Sequence, residues 1–594
     1  MDACTVRTFI TVWFWLAHLG RNEGKLMYIA VRLPLKGERS PPGSPWPLPA
    51  QWSKGSENRT LDPRTFTITS DLDKCDIIDK AIDRYSDIVF GDVQWSVAPH
   101  LESLKGLEIK VLDKTCTGYP QIHMDESYNV SVSDTATLRS VSVWGALRGL
   151  ETFSQLVYVE NGHYMIRTDT IQDRPRYTHR GLMIDTARHY IPVPFILKQL
   201  DAIAYNKMNV LHWHIVDDQS FPYVSSSFPE LAEKGAYSQS QIYTPKDVKD
   251  IIEYARLRGI RVIPEFDTPG HTQSFGKAFK YLMTTCWFNN TPATAEYGQH
   301  ARYENFDPTK NTTYEFLAKF FTEIKDVFKD SFIHMGMDEA HYMCWQSSPN
   351  ISEFMKQQGY RADDYFKVEE YYVKKALDII SGLNKRYIIW QDPVEHNVTV
   401  SKESIIQVWK NKPQWPENFH DWRVYMQKVA SSGYKIVFSS CWYLNNIRKE
   451  SSWQPYYLCD PEDFDGTQQE KKNIVGGEAC LWAEHVDETN MIPRTWPRAS
   501  AVAERLWSPK TENNTDSAQF RLHEQRCRMK RRGISSEPLG PGSCDPYHES
   551  VQFKPPHTSE KKPRPVCSTG NEGYAPNAAF VVIFSLLTVL NWVN

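Results

Sequence analysis

The sequence lacks an excess of charge of either sign. Its 68 lysines and arginines are nearly balanced by 72 aspartates and glutamates, so the formal net charge of the 594 residues is −4. Proteins that bind nucleic acids usually present a dense basic face. The balance therefore predicts no nucleic-acid partner, and the hydrophobic share of 41% is typical of a globular chain with a large core.

Cysteine is sparse, and its spacing gives no metal-binding pattern. The eleven cysteines include no CxxC pair and no Cys/His set of the zinc-ligand type. We therefore expect neither a metal ion nor another cofactor. In an oxidising compartment, some of these cysteines would form structural disulfides.

Long hydrophobic runs are also missing, since a membrane-spanning helix needs about twenty apolar residues. The run Phe9–Ala17 is shorter and fits the core of a signal peptide over residues 1–20. The run Ala578–Leu590 follows small residues and a polar spacer, which is the layout of a GPI-anchor signal within a tail over 546–594. A short transmembrane anchor and an apolar tail without function are the alternatives for this second run.

Seven Asn-x-Ser/Thr triplets join the signal-like N-terminus in indicating the secretory pathway. We expect a final location in the lysosome or, with a GPI anchor, at the cell surface. The triplets begin at Asn58, Asn129, Asn289, Asn311, Asn350, Asn397 and Asn513.

Composition divides the rest of the chain into three segments. Residues 21–60 are rich in proline, glycine and serine, which predicts a linker or loose arm. Residues 61–172 mix strand-like and helix-like stretches, which predicts a smaller N-terminal α/β domain. Residues 173–545 show the most regular pattern and are expected to form the main domain.

Short β-rich runs alternate with helical stretches in the main domain. Eight such runs predict a (β/α)8 TIM barrel of the α/β class. An open doubly wound sheet is the alternative, but no glycine-rich phosphate loop follows the first run. The runs are Gly181–Thr186, Val210–Val216, Arg261–Phe266, Phe332–Gly336, Tyr387–Trp390, Ile405–Trp409, Lys435–Ser439 and Ile474–Leu481.

Most of these runs end in acidic or aromatic residues. The carboxyl ends of the strands form the active-site face of a (β/α)8 barrel. Several acidic side chains, one arginine and at least four tryptophans would therefore converge on one mouth. Because sugar rings stack on aromatic faces, this combination predicts a carbohydrate site.

Two adjacent carboxyl groups, Asp338 and Glu339, follow the fourth run in the segment HMGMDE. Because close carboxylates repel each other, the pKa of one rises, and that group can act as a general acid. Cleavage of a glycosidic bond needs such an acid at the leaving oxygen. Alternation along an extended strand would point the two side chains in opposite directions, so both reach the mouth only if the strand bends.

Seven motifs follow one another along residues 62–545. They are HRGLMIDTARHY (179–190), NVLHWHIVDDQSFP (209–222), EFDTPGHT (265–272), HMGMDE (334–339), IIWQD (388–392), CWYLN (441–445) and GGEACLWAE (476–484). The chain thereby resembles family 20 of the glycoside hydrolases, the β-N-acetylhexosaminidases, in particular those of the animal lysosomal type. The resemblance implies exo-hydrolysis of terminal β-linked N-acetylglucosamine or N-acetylgalactosamine, and a homodimer. It also implies a retaining mechanism in which the 2-acetamido oxygen of the substrate attacks the anomeric carbon.

The same resemblance assigns the catalytic groups. It implies that Glu339 is the general acid and then the base, and that Asp338 orients the acetamido nitrogen. Tyr443 would donate a hydrogen bond to the acetamido oxygen. Asp217 and His271 would lie behind Glu339 and adjust its proton affinity.

It assigns the sugar-binding groups as well. Trp390, Trp409 and Trp482 would enclose the acetamide and the sugar ring. Arg188 and Glu484 would bind sugar hydroxyls, with the arginine acting as a fork of several donors.

Three positions depart from the family pattern. Met337 stands where the family usually has glycine, and its side chain is expected to crowd the site or to shift Asp338. Asp392 stands where glutamate is usual. Asn445 matches the α-type subunit of the family, but Asn446 matches neither the α-type arginine nor the β-type leucine. We therefore expect neutral substrates to be preferred over anionic ones.

Met337 and the predicted GPI anchor together motivate an alternative function from another class. A cell-surface glycan-binding protein could keep the barrel and lose turnover. An assay with a chromogenic N-acetylglucosaminide separates the two functions. An endo-acting chitinase is disfavoured because the DxxDxDxE spacing is absent.

The resemblance also implies a pattern of cysteine pairing. The implied disulfides are Cys75–Cys116, Cys286–Cys344 and Cys527–Cys544. Cys480 is expected to be a buried free thiol. Pairing between Cys441 and Cys459 is left open.

Overall fold

The computed structural model describes residues 37–91, 103–412, 421–445 and 453–544. The predicted signal peptide over 1–20 and the predicted GPI signal within 546–594 lie outside these ranges. Within them, no helix combines the length and the apolar character that crossing a bilayer requires.

The N-terminal part is built on two sheets. Its strands are β1 (Gln51–Ser53), β2 (Asn58–Leu61), β3 (Thr67–Ser70), β4 (Gly106–Val111), β5 (Tyr128–Val132), β6 (Ala136–Ser140), β7 (Tyr158–Glu160), β8 (His163–Arg167) and β9 (Thr170–Asp173). Six of them form a sheet in the order β1-β9-β5-β6-β4-β3, and the other three form a sheet in the order β2-β8-β7. The helices α1 (Asp76–Phe90) and α2 (Val143–Leu156) contribute to the same hydrophobic core as the larger sheet.

Helix α2 shows how the local sequence sets a boundary. The Ser142 side chain accepts hydrogen bonds from the backbone N–H of Trp144 at 3.1 Å and of Gly145 at 3.4 Å, so it satisfies two donors of the first turn. Further along, Gly149 lies against Leu138, and a Cβ on that glycine would be 2.1 Å from the Leu138 Cδ1 atom. The absence of a side chain at position 149 therefore lets the helix approach the sheet.

The prediction of a linker over residues 21–60 is wrong for its last part. Strand β1 pairs with β9 and strand β2 pairs with β8. Trp46 is fully buried, and its indole N–H donates to the backbone oxygen of Ser500 at 3.0 Å. Strands of three and four residues are too short to show a hydrophobic period, so composition hid them.

The main domain is a closed barrel of eight parallel strands, so the predicted (β/α)8 fold is confirmed. The barrel strands are β10 (His179–Asp185), β11 (Val210–Val216), β12 (Arg261–Thr268), β17 (Phe332–Gly336), β18 (Arg386–Trp390), β19 (Ile405–Val408), β20 (Lys435–Phe438) and β21 (Ile474–Leu481). Four short strands lie between β12 and β17: β13 (Met283–Thr285), β14 (Trp287–Phe288), β15 (Thr291–Pro292) and β16 (Tyr303–Phe306).

Helices surround the barrel and fill its loops. They are α3 (Val193–Tyr205), α4 (Glu230–Gly235), α5 (Pro245–Arg256), α6 (Gln273–Ala278), α7 (Asn311–Val327), α8 (Tyr342–Ser347), α9 (Pro349–Gln357), α10 (Tyr365–Gly382), α11 (Asp392–Glu395), α12 (Trp422–Ser431), α13 (Gln454–Leu458), α14 (Gln468–Lys471), α15 (Met491–Thr495), α16 (Arg498–Trp507) and α17 (Thr515–Arg531). One 3-10 turn, Lys280–Leu282, follows α6.

Alternation along the strands decides what the barrel encloses. In β11, Trp213 belongs to the large hydrophobic core, whereas His212 and His214 lie on the other face and are fully buried. The amino-terminal end of the barrel is closed by an apolar layer to which Ile122 of the N-terminal domain contributes. The barrel members of this layer are Val210, Ile263, Phe332, Ile388, Ile405 and Val437.

Buried ion pairs join the N-terminal domain to the barrel. Glu126 contacts Arg148 at 2.8 Å and Arg180 of β10 at 2.6 Å. Asp173 of β9 contacts the Lys207 ammonium at 3.0 Å. Because these charges are removed from water, each depends on its partner.

Four disulfides link the described cysteines. Three are the pairs that the resemblance implies, Cys75–Cys116, Cys286–Cys344 and Cys527–Cys544. The open question is resolved by a fourth disulfide between Cys441 and Cys459. Cys480 is a buried free thiol.

Candidate active site

The acidic pair lies in a tight turn at the carboxyl end of β17. The strand ends at Gly336, and φ is positive at Gly336 (66°), Met337 (72°) and Glu339 (45°). This turn replaces the alternation of an extended strand and brings Asp338 and Glu339 to the same mouth. A Cβ at Gly336 would lie 1.6 Å from the Asp267 Oδ1 atom, so only glycine fits there.

Met337 does not crowd the mouth, so that expectation is wrong. Its side chain is fully buried in the large hydrophobic core, whereas the aromatic wall of the mouth is a separate cluster. Its backbone N–H donates to the Asp267 Oδ1 atom and to the backbone oxygen of Thr268, both at 3.1 Å. The turn therefore directs the thioether away from the site.

Asp338 is buried and incompletely hydrogen-bonded. Burial raises its pKa to about 7; protonated His271 opposes this shift, and the charges of Asp392 and Glu339 add to it. Asp267 hydrogen-bonds Asp338, and burial together with the Asp338 charge raises the pKa of Asp267 well above its ordinary value. The two carboxyl groups therefore share a proton. The Asp338 Oδ1 atom is buried and has no hydrogen-bond partner among the described residues.

Glu339 is paired with a histidine at the edge of the mouth. Its Oε2 atom lies 3.4 Å from the His271 Nε2 atom, and 39% of its side chain is exposed, so a substrate can reach it. The hydrogen bond from His271 lowers the pKa of Glu339. The sequence led us to expect a raised pKa within the acidic pair, and it is raised at Asp338 and not at Glu339.

His271 is in turn held by Asp217. The His271 Nδ1 atom lies 3.2 Å from the Asp217 Oδ1 atom, and the His214 Nε2 atom lies 2.9 Å from Asp217 Oδ2. Despite burial, Asp217 raises the pKa of His271 well above its ordinary value. Despite its own burial, Asp217 has a pKa far below the ordinary range because of these two histidines. The unliganded site therefore holds a proton on His271 beside an ionised Glu339.

Arg188 is held by two acids. Its guanidinium contacts Asp185 at 3.0 Å and Asp217 at 2.8 Å, and lies 4.0 Å from Glu484. The guanidinium carbon lies 4.9 Å from the centre of the Trp482 ring. These contacts fix the orientation of the Arg188 guanidinium. About half of the Glu484 side chain is exposed.

Four aromatic side chains form the wall of the mouth. Trp390 lies 6.0 Å from Trp482 and 6.5 Å from Trp409 between ring centres, and Trp409 lies 6.3 Å from Tyr443. Cys480 and Met183 complete the cluster at its base. The Tyr443 hydroxyl hydrogen-bonds Trp482. Because an indole N–H only donates, the Tyr443 O–H stays free to donate elsewhere.

Asp392, one of the departures from the family pattern, supports two site residues. Its carboxylate accepts from the Trp409 Nε1 atom at 2.8 Å and from the backbone N–H of Glu339 at 3.4 Å. Lys410 lies 3.0 Å from Asp392 and 2.6 Å from Glu395. Asp392 therefore connects the aromatic wall, through Trp409, to the backbone of Glu339.

One group of buried side chains has the spacing of a metal site. His212, Glu265 and His334 each offer a ligand atom within 4.8 Å of the others. Although burial opposes the charged form, Glu478 and Glu265 raise the pKa of His212 to about 9. A metal ligand must lose that proton. In this structure the three side chains are paired with one another, since Glu265 lies 2.9 Å from His212 and 3.1 Å from His334.

Sequence reasoning placed Glu265 and Asp267 among the acidic strand ends without giving them a role, missed His214, and named Asp392 only as a departure. All four contact predicted site residues. A signal was present for three of them, since β-strand alternation places Glu265 and Asp267 on one face of β12 and His214 on the inner face of β11. The ten predicted site residues, in contrast, lie around this one mouth.

Comparisons with known proteins give one consistent picture. Residues 177–510 match the family model "Glycosyl hydrolase family 20, catalytic domain", and residues 45–156 match "beta-acetyl hexosaminidase like". The chain is 46% identical to the human beta-hexosaminidase subunit beta, over 85% of this chain and 90% of that protein. It is 44% identical to the bovine beta-hexosaminidase subunit alpha, over 85% and 96%.

Solved structures are similar as well. The chitobiase of Flavobacterium johnsoniae superposes with a TM-score of 0.71 at 28% identity, covering 82% of this chain and 73% of that one. An exo beta-N-acetylglucosaminidase of Vibrio harveyi has the same TM-score at 22% identity, covering 85% and 80%, which is a likeness of fold.

Proposed function

The chain belongs to glycosyl hydrolase family 20, and from this premise we propose how its barrel mouth removes terminal β-linked N-acetylhexosamine from glycoconjugates. One observation carries the proposal. The Asp338 Oδ1 atom is a buried acceptor that finds no donor among the described residues. A buried acceptor left unpaired is costly, so the site is built for an incoming donor, and the acetamido N–H of the substrate supplies one.

The acetamido group is oriented from both ends. Asp338 accepts from its N–H, and the free Tyr443 O–H donates to its oxygen. Trp390, Trp409 and Trp482 enclose the group and exclude water. The acetamido oxygen then attacks the anomeric carbon and the glycosidic bond breaks, which gives an oxazolinium ion whose N–H stays hydrogen-bonded to Asp338. Arg188 and Glu484 bind hydroxyls of the sugar.

Glu339 receives its proton from the neighbouring histidine. A bound sugar displaces water from Glu339, which raises the pKa of its carboxyl group. The proton then passes from the His271 Nε2 atom to the Glu339 Oε2 atom, which are 3.4 Å apart. Glu339 donates it to the leaving oxygen, afterwards takes a proton from the water that opens the oxazolinium ion, and returns that proton to His271.

Two variants test these roles with aryl N-acetyl-β-glucosaminides of different leaving groups. Glu339→Gln is expected to lose about 10²–10⁴ in kcat on a poor leaving group and much less on a good one, because a good leaving group needs no acid. Asp338→Asn is expected to lose activity on both, because it impairs the internal attack. An Asp338→Asn enzyme with wild-type rates would contradict the proposal, as would a wild type that releases no phenol.

The glycan-binding alternative loses one of its two motives, because the Met337 side chain lies outside the mouth. Among substrates, we propose that neutral sugars are preferred. Asn445, which follows Tyr443 and Leu444 in the sequence, is uncharged, and Asn446 lies outside the described residues. Equal concentrations of sulfated and unsulfated aryl substrates test this preference, and faster hydrolysis of the sulfated one refutes it.

We also propose that the protein passes through the secretory pathway. Four disulfides and seven exposed triplet asparagines support this route. Attachment at the cell surface by a GPI anchor is tested by release with a phosphoinositide-specific phospholipase; retention of the surface signal argues against it. Homodimerisation is tested by the mass of the purified protein in solution.

A further inference from the structure

A column of buried charges continues from the mouth into the barrel. The His214 ring lies between Asp217 at 2.9 Å and Glu265 at 2.7 Å. The His212 ring lies between Glu265 at 2.9 Å and Glu478 at 2.8 Å. Carboxylates and imidazoles therefore alternate along the column, and each of these side chains is almost inaccessible to water.

Glu265 is the branch point of this column. Its Oε2 atom contacts both histidine rings, and its Oε1 atom accepts from the Trp390 indole N–H at 2.8 Å. The Oε1 atom also lies 3.1 Å from the His334 Nδ1 atom. One carboxylate thus contacts both the acetamide wall and the residues that lead to the acid.

The charges in the column are fixed. Although burial opposes it, Glu265 raises the pKa of His214 to about 10, with Asp217 adding to the shift. Despite its own burial, Glu265 has a pKa well below the ordinary value because of His334, His214 and His212. Two further acidic groups near Glu265 are Asp267 on the same strand and Asp338 in the turn after β17. The shifts favour a carboxylate at Glu265 and imidazolium rings at His212 and His214, in agreement with the contacts of 2.9 Å and 2.7 Å between them.

We propose that Glu265 is a positioning residue for the hydrolysis, and that it sets the acetamide wall and the acid relay relative to each other. It does not touch the substrate. The inference rests on the proposed function of the mouth and goes beyond it, because it names the group on which both halves of the site depend.

The first arm leads to the acid. It runs from Glu265 through His214 and Asp217 to His271, which contacts Glu339 at 3.4 Å. A shift of His214 would move Asp217, which also holds Arg188 at 2.8 Å. This arm therefore affects proton delivery and the grip on the sugar.

The second arm leads to the wall. Glu265 holds the Trp390 indole directly. The His214 ring meets the Trp482 ring edge to face, with ring centres 4.9 Å apart. Both tryptophans would lose their support if the carboxylate moved, and a misplacement of about 1 Å can cost about 10²-fold in rate.

Glu478 provides a matched control. It is as buried and as charged as Glu265 and contacts His212 at 2.8 Å and His179 at 2.6 Å. None of its hydrogen bonds or ion pairs within the described ranges reaches His214 or Trp390. Glu478→Gln removes the same charge from the same column, one step further from the mouth.

The experiment compares Glu265→Gln with Glu478→Gln on two aryl N-acetyl-β-glucosaminides, one with a poor and one with a good leaving group. Glu265→Gln is expected to lower kcat/KM about 10- to 100-fold. The loss should be larger for the poor leaving group, because the acid arm is impaired. The factor by which Glu478→Gln lowers kcat/KM should be less than about a third of the factor for Glu265→Gln. Equal losses in the two variants, or a loss that does not depend on the leaving group, would overturn the proposal.

A second variant covers failure of the first to fold. Glu265→Asp keeps the anion that the two imidazolium rings need, but its shorter side chain cannot reach them and Trp390 together. We expect a melting temperature near that of the wild type and a loss of about tenfold in kcat/KM. Wild-type turnover in the folded aspartate variant overturns the inference about Glu265 alone. Inactivity of the wild type would instead refute the proposed function.

Discussion

Met337 combines a strained backbone with a well-packed side chain. A residue with a Cβ at φ 72° costs about 1–2 kcal/mol. Removing a fully buried methionine side chain costs about 2–5 kcal/mol. Packing is the larger of the two effects.

We predict that Met337→Gly lowers the free energy of unfolding by about 1–3 kcal/mol and leaves kcat/KM unchanged. Urea denaturation and steady-state kinetics measure the two quantities. A more stable glycine variant would mean that strain dominates. A loss of turnover would mean that the side chain matters to the mouth after all.

Asp338 is kept at a cost to stability. Its folded pKa of about 7 lies above the ordinary value for an aspartate, so the fold favours the neutral form. The contribution of Asp338 to the stability of the fold is therefore fully present below about pH 4. It is lost as the pH rises towards about 7, because the ionised carboxylate is then buried away from water. Ionised Asp338, the form that accepts a hydrogen bond from the substrate, thus lowers the stability of the fold.

We predict that Asp338→Asn is more stable than the wild type above about pH 7, by on the order of 2–4 kcal/mol, and that the gain vanishes near pH 4. Melting temperatures across this pH range test the prediction. The exposed substitution Asp465→Asn controls for the chemical change. A gain that does not depend on pH would show that burial of charge is not the cause.

At the scale of elements, the short helix α11 and the end of β19 form one support for the site. Lys410 follows β19 and neutralises Asp392 and Glu395 at the two ends of α11. Asp392 holds Trp409 and the backbone of Glu339. An uncompensated charge in this place would disturb both contacts.

We predict that Lys410→Gln lowers kcat/KM at least about tenfold, since Asp392 loses its counter-ion beside the acid. The neighbouring exposed lysine gives the control, and Lys412→Gln should behave as the wild type. Kinetics on one aryl substrate decide between them. Equal effects of the two variants would point to long-range charge instead of this contact.

The elements themselves could largely be predicted from the sequence. Each barrel strand is a β-rich run between helical stretches, and all eight are present within a residue or two of their predicted bounds. Strands β1 and β2 were missed because their pairing partners, β9 and β8, lie more than a hundred residues away. Secondary structure made by such distant contacts leaves no local period.

The sequence allowed us to predict which residues form the site, but not how they are arranged. The motifs name Arg188, Trp390 and the acidic pair, because chemistry restricts the residue types at these positions. Nothing in the type methionine or glutamate predicts a positive φ, so the turn at Met337 and Glu339 was not foreseeable. The direction of the pKa shifts follows from this turn and from the position of His271, and both are tertiary.

At the scale of the whole molecule, the N-terminal domain and the barrel depend on buried ion pairs between them. Lys207 is fully buried beside Asp173, whose carboxylate also accepts from the Trp507 indole. Breaking a buried pair by removing one partner costs far more than breaking a surface pair.

We predict that Lys207→Met lowers the free energy of unfolding by about 3–5 kcal/mol. The surface pair Lys246–Asp250 supplies the control, and Lys246→Met should leave the free energy of unfolding nearly unchanged, because water screens this pair. Urea denaturation followed by tryptophan fluorescence measures both. Similar small losses in the two variants would mean that the interface does not rely on this pair.

Ile122 and the apolar layer around it have a consequence for how a long glycan is handled. Below the tryptophans the barrel is filled by the charged column, and below that it is capped by this layer. A polymer therefore has no exit on the far side and cannot thread through. Each released sugar must leave through the same opening by which it entered. The shortened glycan therefore has to dissociate and bind again before the next hydrolysis.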